Sequence, residues 1–129
     1  MDTAIFDPAG GPLVAVVTSG FAQPGSYILR LYEANRNQLV TWPNGRTEQV
    51  GNFLNADDDR YNLPEPVADN DRRLVECFVA VEVTPPLNDY DLGLEIWQDG
   101  ARLARDSKSG SGAPHQTIVA NLFVGLVQR

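Results

Sequence analysis

From residue 74 onward the chain alternates. Val75, Cys77, Val79, Val81 and Val83 occupy one parity; Glu76, Phe78, Ala80, Glu82 and Thr84 occupy the other. Successive side chains of a β-strand point to opposite faces, so this run reads as a strand with one face against a core. After Pro85-Pro86 a second alternating run carries Tyr90, Leu92, Leu94 and Ile96. Gln98-Asp99-Gly100-Ala101 then signals a hairpin, because Asp-Gly tolerates the positive φ of a two-residue turn. A third run returns through Leu103. Residues 74–106 thus predict a β-meander. With Asp99-Gly100 as the turn, Ile96 is expected opposite Leu103 on the inner face and Trp97 opposite Arg102 on the outer face, indole against guanidinium. Leu94 would meet Arg105, a poor match that predicts the end of the shared sheet.

The first half shows the same periodicity with more interruptions. Residues 13–18 form a short apolar run rich in Val, read as a buried strand, and before it only Ala4-Ile5-Phe6 can add a short one. After Pro24-Gly25, the strand at 26–34 turns Tyr27, Leu29 and Leu31 one way. Asn35-Arg36-Asn37 predicts a tight hairpin into a return strand at 38–42. Asn44-Gly45 predicts a type I′ turn. Residues 47–54 follow as a polar edge strand, with a bulge at Gly51.

Residues 55–73 differ in character, holding Asp57, Asp58, Asp59, Glu65, Asp69 and Asp71 with few large apolar side chains. They read as a long crossover between sheets, anchored by Tyr61 and Leu63. Serine and glycine within 108–114 predict a flexible loop. The last run, 116–128, places Ile118, Ala120, Leu122, Val124 and Leu126 on one parity, a long strand bulged at Gly125 that could serve as an edge.

Eight or nine short strands without an amphipathic helix predict an all-β fold, an antiparallel β-sandwich in two meanders. It is immunoglobulin-like in architecture only, since one cysteine excludes the Cys…Trp…Cys pattern. A length of 129 residues predicts one domain spanning 1–129.

Charge and cysteine usage narrow the partners. A net charge of −7, with basic residues scattered along the chain, argues against nucleic acid and anionic membrane. A single cysteine makes no intrachain disulfide and suits a reducing compartment. With neither a basic, apolar leader nor an apolar run of transmembrane length, the chain is expected to be cytoplasmic.

Candidate chemistry is sparse. Cys77 lies on the inward parity and reads as a buried thiol; His115, the one histidine, reads as a solvated loop residue. Asp57, Asp58 and Asp59, completed by Asp69 and Asp71, are the candidate calcium ligands, because calcium takes six to eight oxygens. Glu76, Glu82, Asp91 and Glu95 face outward, but no spacing singles out a catalytic pair. No nucleophile elbow or phosphate loop is present, so no enzyme and no other cofactor is expected. The outward aromatics are the remaining hint: Trp97 with Arg102, and Trp42. The expected function is a non-catalytic binding or structural module that contacts another protein or its own copy. The alternative is a calcium- or carbohydrate-binding domain using the acidic loop at 57–71.

Overall fold

A computed structural model of the chain describes residues 1–53 and 58–129. In chain order the strands are β1 (Asp2–Phe6), β2 (Leu13–Gly20), β3 (Gly25–Tyr32), β4 (Glu48–Asn52), β5 (Asp59–Asn62), β6 (Leu74–Glu82), β7 (Asp89–Gln98), β8 (Ala101–Ser111) and β9 (Thr117–Gln128), with one 3₁₀ turn at Val67–Asn70. They form a five-stranded sheet in the order β1-β9-β6-β3-β4 and a four-stranded sheet in the order β5-β2-β7-β8. The inward parities are those the sequence marks: Leu29, Leu31, Val75, Cys77, Leu122 and Val124 from one sheet meet Ala15, Val17, Leu92, Leu94 and Ile96 from the other. The fold is therefore all-β, with two sheets enclosing one core.

Alternation names a face but not a neighbour, and the meander at 74–106 is corrected on that ground. β6 lies in the five-stranded sheet between β9 and β3, whereas β7 and β8 pair in the other. Proline has no N–H to extend a ladder, and Pro85-Pro86 instead carries the chain across the core. β9 is an interior strand with an unbroken register at Gly125, so it is neither an edge nor bulged there. It pairs with β1 in parallel, which makes the larger sheet mixed.

The excursion after β3 also departs from expectation. Only one bridge, Tyr32 to Leu39, represents the return strand at 38–42. Val40 and Trp42 turn inward as a cap on the core, and β4 pairs directly with β3 as an edge. The turn at 43–46 has three loop residues. Gly45 N–H donates to Trp42 C=O at 2.8 Å, Trp42 N–H donates to Arg46 C=O at 2.8 Å, and Gly45 takes the left-handed φ of 85°. Pro43, with its fixed negative φ, starts this turn without the double left-handed pair of type I′. Gly51 marks no bulge. It faces Tyr27 in register, and a Cβ there would collide with the Tyr27 hydroxyl.

The hairpin β7–β8 keeps Trp97 opposite Arg102, but a bulge follows, so that Ile96 meets Ala104 and Glu95 meets Arg105. Leu103 is the extra residue, half-buried against the core. The slip replaces leucine against cation with carboxylate against cation, and the ladder continues to Asp89–Ser111. Most of the expected loop at 108–114 is therefore strand. Within the expected crossover, β5 adds an edge to β2, with Leu63 fully buried behind it.

Candidate binding faces on the two sheets

The outer face of the four-stranded sheet is built from two cross-strand rows. One runs Asn62, Val14, Trp97, Arg102; the next runs Arg60, Val16, Glu95, Arg105. Glu95 sits at their centre with its carboxylate largely buried. It accepts hydrogen bonds from Trp97 Nε1 at 2.8 Å, Arg105 Nε at 3.1 Å and Arg102 Nη1 at 3.4 Å. Arg105 also reaches Asp91 at 3.3 Å. The Arg105 guanidinium lies close over Gly93, where a Cβ would stand 2.7 Å from Nη2. The half-buried Trp97 carries Arg60 over its ring, 5.9 Å from the centroid. The cation on the indole is thus Arg60 from β5, whereas Arg102, its register partner, turns to Glu95. A buried carboxylate with three donors is a satisfied one, and this face closes on itself through its own charges.

The outer face of the five-stranded sheet is organised differently. A charged row joins Glu48, Arg30 and Glu76: Arg30 Nε lies 2.6 Å from Glu48 Oε2, and its Nη1 lies 3.4 Å from Glu76 Oε1. The Tyr32 hydroxyl donates to Glu76 at 2.9 Å; burial first and that bond second raise its pKa above the ordinary phenol value. Beside this row runs an apolar one, Val50, Ile28 and Phe78 in register across β4, β3 and β6, flanked by Val119. Val50 is 65% exposed, Val119 44% and Phe78 41%. Nothing among the described residues covers them.

The remaining candidates separate. Trp42 is 1% exposed, so its expected role as an outward aromatic is corrected. It packs edge-on against Tyr61 at 6.3 Å, with its indole N–H buried and unpartnered. Tyr27, Tyr61 and Phe53 join it between β3 and β5; the Tyr27 hydroxyl donates to Asp59 at 2.5 Å and meets the Tyr61 hydroxyl. Burial first, then the bond to Asp59, pushes the Tyr27 phenol well above its ordinary pKa. Only the position and bonding of this cluster, both tertiary facts, could have revealed it.

Of the calcium candidates, Asp57 lies outside the described residues. Asp58 is exposed, Asp59 is engaged by Tyr27, and Asp69 sits on the 3₁₀ turn. Asp71 accepts from Gln128 N–H at 2.9 Å. Among the described residues no three His, Cys, Asp or Glu side chains gather as a metal centre would. Cys77 is fully buried, and burial pushes its thiol up to about 12. His115 is exposed, with Nδ1 3.2 Å from Glu82. The outward carboxylates each have a partner: Arg30 for Glu76, His115 for Glu82, Arg105 for Asp91 and Glu95. Among the described residues no helix is long and apolar enough to cross a membrane.

No protein-family model, curated protein or solved structure matches this chain. What the fold defines is a class, two-sheet β-proteins. The contrast between one face closed by its own charges, with only Thr18 Oγ1 buried and unpartnered on it among the described residues, and one face with an exposed apolar row is what remains to carry function.

Proposed function

We propose that the protein is a non-catalytic module that acts through protein–protein contacts, and that its first partner is a second copy of itself joined along β4. The observation that carries this reading is the apolar row Val50, Ile28, Phe78, exposed at Val50 and Phe78 and half-buried at Ile28, which ends at the unpaired edge strand. Phe53 N–H donates to Gly25 C=O, so the alternation of an antiparallel ladder turns the N–H and C=O of Glu48, Val50 and Asn52 away from β3. A two-fold axis at Val50 would pair these groups with their own copies, and an isologous interface of this kind requires such self-complementarity. Glu48 would then face Asn52 of the second copy, with no like charges opposed. The apolar rows would join into one stripe across both molecules.

The immunoglobulin-like part of this reading concerns layering alone, two facing sheets around one core, with a strand order of its own. Sedimentation equilibrium of the native chain and of Val50→Lys tests self-association. The native chain should show a concentration-dependent dimer and the variant a monomer with an unchanged melting temperature. A native chain that stays monomeric at high concentration would remove the self-association reading.

A further inference from the structure

Gly125 occupies an interior strand position that its surroundings do not require to be glycine. It lies in the cross-strand row Tyr32, Leu74, Gly125, Thr3, on the outer side of the five-stranded sheet, in regular register with both neighbours. Its φ lies outside the left-handed region, and a Cβ there would meet only Met1 Cε, at 3.7 Å, an ordinary contact. Glycine inside a strand weakens it and often marks a place where something else approaches closely. Here the missing side chain leaves a groove of about 250 Å³, with Gly125 and Val127 along its floor. A second hollow of about 320 Å³, lined by Tyr32, Leu74, Phe123 and Glu76, whose carboxylate is held by Arg30 and the Tyr32 hydroxyl, shares Arg36 with it.

The wall of this groove is basic in an acidic protein. Arg36, Arg72 and Arg73, three of the ten Lys and Arg residues, line it, and none of its lining side chains is acidic. Arg73 is held by Glu33 at 3.1 Å and Asn70 at 3.0 Å. Arg36 is anchored through one nitrogen only: Nη1 donates to Arg72 C=O at 2.6 Å and to two nearby carbonyls, while Nε and Nη2 make no bond among the described residues. The Arg72 side chain is 80% exposed, and among the described residues Asp71, at 4.0 Å, is its one ion-pair partner. Arg36 and Arg72 also both carry left-handed backbone, φ 63° and 66°, which costs energy for a residue with a side chain. Two arginines at strained positions thus bracket a groove with an apolar floor.

We propose that this groove binds a carboxylate carried on an apolar body, with Arg36 and Arg72 taking the carboxylate and the apolar part lying over Gly125 toward Leu74 and Phe123. Planar guanidinium groups suit carboxylate oxygens, and apolar pockets with a few convergent polar groups are the usual form of small-ligand sites. The proposal is independent of self-association through β4, which uses the other edge of the same sheet.

Calorimetric titration of the whole chain with decanoate and with decanol tests it, followed by an apolar tripeptide with a free C-terminal carboxylate and as its amide. Saturable one-to-one binding of either acid, with its neutral counterpart at least tenfold weaker, supports the site and identifies the source of the carboxylate. Gly125→Val should keep the melting temperature and abolish that binding; Arg72→Gln, at an exposed side chain, should weaken it about tenfold. Equal binding of acid and neutral forms, no binding of either acid, or full binding by both variants overturns the proposal.

Discussion

The two outer faces of this protein obey the same period-two rule and end up as opposites. On the four-stranded sheet, Glu95 gathers Trp97, Arg102 and Arg105, and Arg60 covers the indole, so an acid, an aromatic and three cations satisfy one another. On the five-stranded sheet, the charged row Glu48, Arg30, Glu76 is equally satisfied, but the next row leaves Val50 and Phe78 exposed on either side of the half-buried Ile28. Outward residue type alone does not distinguish a finished surface from an unfinished one. What distinguishes them is whether long side chains from neighbouring strands can fold over the apolar ones. Arg60 does so over Trp97 on the smaller sheet, where Arg105 lies against Gly93. On the larger sheet, Arg30 lies in the adjacent row and spends its guanidinium on Glu48 and Glu76.

The sharpest way to break this contrast is to remove the centre of the satisfied face. Glu95→Ala leaves three donors without their acceptor and should cost about 2–3 kcal/mol in urea denaturation, less than a fully buried pair because Arg102 is half exposed. Glu76→Ala, with two partners, should cost only about 1 kcal/mol. Equal losses would mean the two faces are alike. Trp97→Ala should cost about 2 kcal/mol, since it removes a half-buried indole, takes a donor from Glu95 and releases Arg60.

The layer between the faces supplies a reference through Cys77. Its thiol is raised to about 12 by burial, so the folded state holds this proton more tightly than the unfolded one. Its contribution is fully present below the ordinary thiol value near ~8.5 and is lost as pH climbs toward 12. Between pH ~8.5 and ~9.5 the native chain should lose at most about 1.4 kcal/mol that Cys77→Ala does not lose, measured as the difference in their denaturation midpoints. The smallest effect belongs to the open face: Phe78→Ala should change stability by no more than about 0.5 kcal/mol while weakening self-association in sedimentation. A large stability loss with unchanged association would show that Phe78 serves the fold and not a partner.

Much of the core was legible because burial on one face writes a period of two into the sequence. Tyr27, Leu29, Leu31, Val75, Cys77, Leu92, Leu94 and Ile96 all lie inward as the alternation implies. The Trp97–Arg102 register was legible too, because a two-residue turn fixes its nearest pairs. The bulge at Leu103 was written only indirectly, as the bad pairing of Leu94 with Arg105 that an unbroken ladder would force. That mismatch signalled a slip rather than a sheet end. Trp42 was misread because no periodicity governs a capping loop, and a large aromatic there is buried or exposed according to where the loop lands.

The chain by itself determined the long alternating strands, which of their parities faces the core and where the tight turn between Gln98 and Ala101 falls, since these follow from local sterics and from the side-chain period; the bridge at Leu39, β5 and the far end of β8 did not follow from it. Only the tertiary structure decided which strands are neighbours, because a pleated face pairs equally well with any strand of matching pattern. It alone put β6 and β7 in different sheets, set β9 inside one of them, and assembled Arg36, Arg72 and Gly125 around one groove.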